Sequence, residues 1–246
     1  MAGPRIGLGL MCKAPRPGAT KTRLARSIGD EAAARLSRAF LEDCARAARD
    51  AADRAGLATV AFHRPADAAA ELGAILGPRW DLVHAEAWDL GATMREALAL
   101  LLDRCPGGAI LMGSDVPLID GAMIAAAARI LRDGGARDVA LVPSPDGGYC
   151  LVGVRCMSAA APLFAPMAWG GTDVLAETLR RARSHGLATH LLAAQRDIDD
   201  VDDLAWLWSE IKARPRAAPA TRAALGELDQ ARSRGDAGFT PPADRG

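Results

Sequence analysis

The chain has 246 residues, of which half are apolar, and its 30 Lys+Arg balance 30 Asp+Glu to a formal net charge of zero. That balance excludes a global nucleic-acid or membrane footprint, so any anion site must be local. A chain this long buries a core without staples, and its five cysteines include no C-x-x-C pair, which argues against a disulfide framework or zinc knuckle and fits a reducing cytosol.

The first apolar run, Ile6–Met11, stops at Lys13. It is too short for a signal segment or a bilayer span, and a soluble cytoplasmic protein is expected; the run reads as a strand. Glu31–Arg54 is alanine-rich with Leu36, Phe40, Leu41 and Cys44 at helical spacing, which predicts a long helix. Ala58–Phe62 and Leu82–His84 read as strands, and Ala92–Leu102 as a helix with Met94, Leu98, Leu101 and Leu102 on one side. Ala109–Met112 reads as a buried strand, Ala122–Leu131 as a helix, and Val139–Val142 as a strand leading through residues 143–148 into the apolar Tyr149–Val154. Val174–Arg183 is a predicted helix and His190–Leu192 a strand; Asp202–Ile211 is a helix whose acidic start suits the positive end of its dipole.

Strands alternating with helices predict an α/β fold, a mostly parallel sheet with helices on both faces. Ligands of such sheets bind beyond the carboxyl ends of the strands. After Lys212 the composition shifts to Arg, Ala, Pro and Gly. One domain is therefore expected over residues 1–212, followed by a tail, 213–246, with room for one surface helix at Thr221–Arg232.

Five segments could carry chemistry. In Lys13-Ala-Pro15-Arg-Pro-Gly18-Ala-Thr-Lys21-Thr-Arg23, two prolines and a glycine stiffen a loop after the first strand. Fixed cations and unpaired backbone N–H groups there suit a polyphosphate, the alternative being a solvated basic turn; the P-loop spacing is absent. The strand at Ile110 delivers Gly113-Ser114-Asp115-Val-Pro117, and Pro117 and Leu118 separate Asp115 from a helix that starts nearer Asp120. Asp115 therefore reads as a hard-oxygen ligand for Mg²⁺ beside phosphates rather than as a helix cap.

Asp197, Asp199, Asp200, Asp202 and Asp203 crowd one stretch. Asp202 and Asp203 suit a helix start, which leaves Asp197, Asp199 or Asp200 for a metal. In Asp146-Gly147-Gly148 adjacent glycines permit close approach of a ligand, or else form a plain hairpin turn. In Asp89-Leu90-Gly91, Gly91 would let a base or sugar lie against backbone, or Asp89 simply caps a helix. Trp80, Trp88, Trp206 and Trp208 read as packing residues, with Trp169 set apart by its place between two loops; Cys12 and Cys150 read as inert buried thiols.

Taken in order, K-x-P-x-x-G-x-x-K-T-R-L, D-L-G-x-x-M, G-S-D-x-P, D-G-G-Y-x-L-x-G, W-x-x-x-x-V-L and D-x-D-x-x-x-D-L span residues 13 to 204. This combination resembles the bacterial glycosyltransferase-A-like family known as radical-SAM/selenodomain-associated transferase or arsenosugar biosynthesis glycosyltransferase. It is similar, more distantly, to molybdenum-cofactor guanylyltransferase and 2-phospho-L-lactate guanylyltransferase. The resemblance implies a nucleotide-diphospho-sugar transferase (GT-A-like) fold and a nucleotide-binding set of Lys13, Pro15, Gly18, Lys21, Arg23, Leu90, Gly91 and Ser114. It also implies a metal pair, Asp115 and Asp199, and an acceptor side at Asp146, Gly147, Gly148 and Trp169. The chain departs from the family's Trp-Ser-Thr with Trp169-Gly170-Gly171, and from Asp-Val-Asp-Thr with Asp197-Ile198-Asp199-Asp200, which leaves the acceptor open.

The expected activity is a Mg²⁺- (or Mn²⁺-) dependent transfer from a nucleotide to a small-molecule acceptor, with Lys21, Arg23 and Asp115 catalytic. Nucleotidyl transfer, NTP plus a small phosphorylated or acidic acceptor giving an NMP-conjugate and pyrophosphate, is favoured by Lys13, Lys21 and Arg23 in the first loop and by a single mid-chain acid in place of a D-x-D pair. Glycosyl transfer from an NDP-sugar is the alternative, and a non-catalytic nucleotide-binding protein the third reading. A Rossmann dehydrogenase is disfavoured, because no G-x-G-x-x-G follows the first strand.

Overall fold

A computed structural model describes residues 4–87 and 89–233. Trp88, expected as a packing residue, and the closing GFTPPADRG stretch lie outside the described residues. Strands β1 (Gly7–Lys13), β2 (Ala58–Arg64), β3 (Asp81–His84), β4 (Ala109–Gly113), β5 (Asp138–Pro143), β6 (Tyr149–Val154) and β7 (Ala188–Leu191) form one seven-stranded sheet. Their order is β3-β2-β1-β4-β6-β5-β7. Only β6 runs antiparallel, against β4 and β5; the other pairings are parallel. Lys13, Arg64, His84, Gly113, Pro143 and Leu191 therefore end their strands along one edge, and the β5–β6 hairpin turns there too.

Period-two burial splits the strands between two faces, as a pleated sheet requires. Leu8, Leu10, Ile110, Met112, Ala140 and Val142 pack under α2 (Asp30–Ala55), α3 (Ala69–Leu76) and α5 (Gly121–Asp133). Leu111, Val139, Leu141, Val152 and Val154 face the other way, toward Leu98 and Leu101 of α4 (Leu90–Arg104) and Leu163 of α6 (Met157–Leu163). Buried Ala45, Ala48, Ala51 and Ala52 let α2 lie close to the sheet. Burying each Leu or Ile contributes about 1.5–3 kcal/mol.

A third apolar cluster positions the site. Leu24 of α1 (Thr22–Ile28), Leu36 and Phe40 of α2, Ile198, and Leu204, Leu207 and Ile211 of α8 (Val201–Ala213) pack with Ala218 and Leu225. This clamps the late acidic stretch against the helix that follows the first loop. Leu225 belongs to α9 (Pro219–Ser233), the helix expected beyond residue 212, whose inner face joins the core. Its start is held by Asp43 of α2, 1% exposed, which accepts from the N–H groups of Ala220 at 3.2 Å and Thr221 at 2.8 Å and pairs with Arg46 at 3.1 Å. A buried carboxylate at a helix start is stabilised by the unpaired N–H groups and the dipole.

Four features differ from the sequence reading. The short helices α1, α3 and α6, of seven or eight residues, lack the window over which an amphipathic period declares itself. The last strand is Ala188–Leu191 rather than His190–Leu192, since its pairing with β5 begins at Ala188. No helix among the described residues is long and apolar enough to cross a membrane.

Candidate active site

The loop after β1 is anchored on three sides. The Ala14 N–H donates to the Arg64 carbonyl at 2.8 Å. Arg16 reaches Glu71 at 2.9 Å and Asp67 at 3.1 Å. The buried Thr20 and Ser37 hydroxyls meet at 3.0 Å, tying the loop to α2. Lys21 then adopts a left-handed backbone, φ 47° and ψ 45°, uncommon for a residue with a side chain. Its side chain turns inward and is 4% exposed.

Lys21 Nζ lies 2.8 Å from Asp115 Oδ2 and 2.9 Å from Asp199 Oδ1. Arg23 holds the other Asp199 oxygen at 2.5 Å. Burial works to lower the Lys21 pKa, but Asp115 and Asp199 outweigh it and hold the ammonium charged, above its ordinary value. The expected pair of acids and the expected cationic loop therefore converge on one point.

Each acid owes its freedom to a neighbour. Asp120, not Asp115, caps α5, accepting from the Met123 N–H at 2.8 Å. Asp200 caps α8, accepting from the N–H groups of Asp202 and Asp203, both at 3.0 Å, and Asp203 completes a capping box. Of the three acids left open by the sequence, Asp200 is thus structural. Asp197 turns toward the β5–β6 hairpin and accepts from the Ser144 hydroxyl at 2.6 Å. Burial raises the Asp197 carboxyl above the usual range against the pull of Ser144, and Asp146 and Asp199 add to the rise. Asp199 remains beside Asp115, and the intervening backbone fixes it: the Ile198 N–H donates to the Asp115 carbonyl at 3.0 Å.

At the ends of β1, β2 and β3 opens a cavity of about 480 Å³ lined by Lys13, Ala14, Arg16, Arg64, His84 and Glu86, among others; it shares with the cluster the loop after β1, not a lining residue. Arg64 braces its far wall, donating to the Ala85 carbonyl at 2.9 Å and the Thr93 hydroxyl at 3.1 Å. Lys13 is exposed at the mouth, Pro15 is half-buried and Gly18 exposed in the same loop, and Ser114 is half-buried beside Asp115. Sequence reasoning missed Arg16, Arg64, His84 and Glu86. The one signal for the last three was their place at or just past strand ends, which is also where many residues without a role lie.

The Asp146–Gly148 segment is a hairpin turn, as one of its readings held. Asp146 Oδ1 accepts from the Gly148 N–H at 2.9 Å, and the Leu175 N–H donates to the Gly147 carbonyl at 2.8 Å. Asp89 caps α4 through the Ala92 N–H at 2.8 Å. The close approach that Gly91 permits is taken by protein: a Cβ there would stand 2.0 Å from Trp169 Nε1. The Trp169 indole also stacks on Phe164, with centroids 5.7 Å apart. The stretch before α7 (Val174–Ser184) thus touches Gly91 through Trp169 and Gly147 through Thr172. Burial pushes the Cys12 and Cys150 thiols up to about 12, which suits inert packing residues.

Among the described residues no group of three or more His, Cys, Asp or Glu side chains could hold a metal. Asp115 and Asp199 nevertheless aim hard oxygen donors at a single cation. One or two carboxylates completed by substrate phosphates is the usual protein share of a Mg²⁺ site, and this donor set fits it.

This architecture is that of the nucleotide-diphospho-sugar transferases. Over 93% of its length and 97% of the other chain it matches the crystal structure of a Desulfovibrio desulfuricans G20 protein provisionally described as a nucleotide-diphospho-sugar transferase, with a TM-score of 0.81 and 30% identity. A Methanothermobacter nucleotidyl transferase shares the fold at a TM-score of 0.57 and 16% identity, over 86% of this chain and 99% of that one. The chain belongs to the family described as "Uncharacterized protein conserved in bacteria (DUF2064)", whose model matches residues 45–171. That stretch contains Asp115 and the Asp146–Gly148 turn, while Lys21, Arg23 and Asp199 lie outside it. Phosphoenolpyruvate guanylyltransferase of Roseiflexus sp. (strain RS-1) is 34% identical over 124 residues, 48% of this chain and 52% of that protein. The chain thus spans about half the length of that curated relative.

Proposed function

We propose that the protein is a nucleotidyltransferase: an oxygen of a small phosphorylated or acidic acceptor attacks the α-phosphorus of a nucleoside triphosphate. The bond from that phosphorus to the bridging oxygen breaks, giving an NMP-conjugate and pyrophosphate. The observation that carries this reading is the buried Lys21 ammonium clasped by Asp115 and Asp199, on the same loop whose Lys13 and Arg16 line a cavity with Arg64.

The cavity suits the nucleoside, with Lys13 at its mouth. Lys21 and Arg23 would neutralise charge growing on the leaving pyrophosphate, without reorganisation at the moment of reaction. Asp115 and Asp199 would hold one Mg²⁺ or Mn²⁺, which supplies further charge neutralisation at the phosphate oxygens when bound. The hairpin at Asp146–Gly148, with Asp197 behind it, would seat the acceptor. No protein nucleophile is required. The guanylyltransferase relative supports GTP as donor and phosphoenolpyruvate, or a similar phosphorylated acid, as acceptor. A second reading, glycosyl transfer from an NDP-sugar, is favoured by the description of the Desulfovibrio neighbour.

The test is to incubate the protein with each NTP, Mg²⁺ and phosphorylated acids, measuring pyrophosphate, and in parallel with UDP- and GDP-sugars, measuring free NDP. Pyrophosphate that requires both the acceptor and Asp115 is the expected result. NDP release without pyrophosphate would replace the proposal with the second reading.

A further inference from the structure

We infer that the Lys21 ammonium is a stand-in for the divalent cation, so that the free protein keeps its metal position closed and admits the ion only when nucleotide phosphates take over the lysine. This rests on the reading of Asp115 and Asp199 as metal ligands.

The two carboxylates approach Nζ at 2.8 and 2.9 Å, the spacing of charge-assisted hydrogen bonds. A Mg²⁺ ion takes its oxygens at about 2.0–2.1 Å, so ion and ammonium cannot share the gap, and their like charges repel. At 4% exposure the ammonium has little water to fall back on. Moving it off its carboxylates without another anion strands a desolvated charge. The root of the side chain is fixed as well. The Thr20–Ser37 hydroxyl pair lies on one side of Lys21 and the first turn of α1 on the other. The Lys21 main chain thus stays put, and the head group alone can swing.

A nucleotide supplies the missing anion. Its phosphates would lie along the loop that carries Lys13 and Lys21, giving the ammonium new partners as the two carboxylates pass to the ion. Metal and nucleotide are then coupled through one side chain, and linkage makes the coupling reciprocal. Without nucleotide the ion must compete with a tethered cation. Removing that cation should strengthen metal binding even though it deletes a positive residue from the phosphate site.

The test is Mn²⁺ affinity, by electron paramagnetic resonance and calorimetry without nucleotide, for the wild-type protein, Lys21→Met and Lys13→Met. Lys21→Met should bind at least about tenfold more tightly than wild type, within the usual range of such couplings, and Lys13→Met should match wild type. Equal affinity of wild type and Lys21→Met would overturn this inference alone. Manganese that binds none of them, even with guanosine 5′-[α,β-methylene]triphosphate present, would remove the metal reading and the inference with it.

Should Lys21→Met fail to fold, the wild-type chain gives a second readout, because its three lysines are Lys13, Lys21 and Lys212. Acetylation followed by mass spectrometry should find Lys21 protected relative to the other two, with or without manganese alone. A manganese-dependent rise in Lys21 labelling in the absence of nucleotide would overturn the inference.

Discussion

Replacing Gly147 by alanine tests whether the Asp146–Gly148 turn is built as described, because its neighbour Gly148 is an internal control. Gly147 has φ +90°, and a Cβ there would stand 1.8 Å from the Thr172 carbonyl oxygen and 2.5 Å from its carbon. Both obstacles are backbone, so no rotamer change relieves them. A left-handed backbone costs a residue with a side chain about 1–3 kcal/mol, and forcing an extra methyl into packed surroundings another 1–3 kcal/mol or so. The middle of that range, about 4 kcal/mol, corresponds to a fall of roughly 10 °C in melting temperature for a chain of this size. Gly148 lies outside the left-handed region, and its Cβ would meet only the Asp146 carboxylate at 3.3 Å, the end of an exposed side chain that needs to give only a few tenths of an ångström while keeping its bond from the Gly148 N–H. Gly148→Ala should therefore lose less than about 1 kcal/mol, as most surface changes do. Urea unfolding of both variants, followed by circular dichroism, measures the difference. Equal midpoints for the two would refute the packing of residues 169–173 over the turn.

Three further outcomes follow from the geometry. Lys21→Met, expected to gain metal affinity, should lose about 2.7–4 kcal/mol of transition-state stabilisation, or roughly 100- to 1,000-fold in kcat for pyrophosphate formation; steady-state kinetics would show whether the two effects separate. Asp43→Ala removes the cap of α9 and leaves two N–H groups unpaired, which should cost about 2 kcal/mol and raise amide exchange at the start of that helix before the rest of the chain. Glu177 is held down to about 2 by hydrogen bonds from Arg180 and Arg181, below its ordinary value near 4.3. Its contribution is therefore present above about pH 4.3 and fades as pH falls toward 2. The melting-temperature gap between wild type and Glu177→Gln, open at pH 6, should close across that interval.

The strands were legible because each is a short apolar run bounded by turn residues, and the loops because each follows such a run. Asp115 could be told from a helix cap by its distance from Asp120, and the structure agrees. The choice among Asp197, Asp199 and Asp200 could not be made from the residues alone. Capping depends on which backbone N–H groups a carboxylate reaches, and Asp200 takes that role only because α8 opens directly after it. The Lys21 clasp was illegible for another reason. Lys13, Arg16, Lys21 and Arg23 look alike in a sequence, and what separates Lys21 from the others is a left-handed backbone and burial. Gly91 shows the converse case. The glycine does mark a close approach, but an indole makes it from a segment far along the chain, and no local pattern carries that information.

Ile198 explains how a distant acid is aimed at the first loop. Its side chain, fully buried, drives into the cluster shared with Leu24, Phe40 and Leu204, while its N–H is bonded to the Asp115 carbonyl. With the central residue committed inward, the acids on either side of it are left for the cleft. Asp197 meets Ser144 of the β5–β6 hairpin, and Asp199 meets Lys21 and Arg23 of the cationic loop. One apolar anchor thus strings two carboxylates between the two halves of the site. It also ties the spacing of those halves to a core that α1, α2, α8 and α9 share. The helices beyond the last strand are therefore part of what holds Asp197 and Asp199 in register, and under the proposed function a change that loosens α9 from Asp43 should lower turnover through Ile198 without touching either acid.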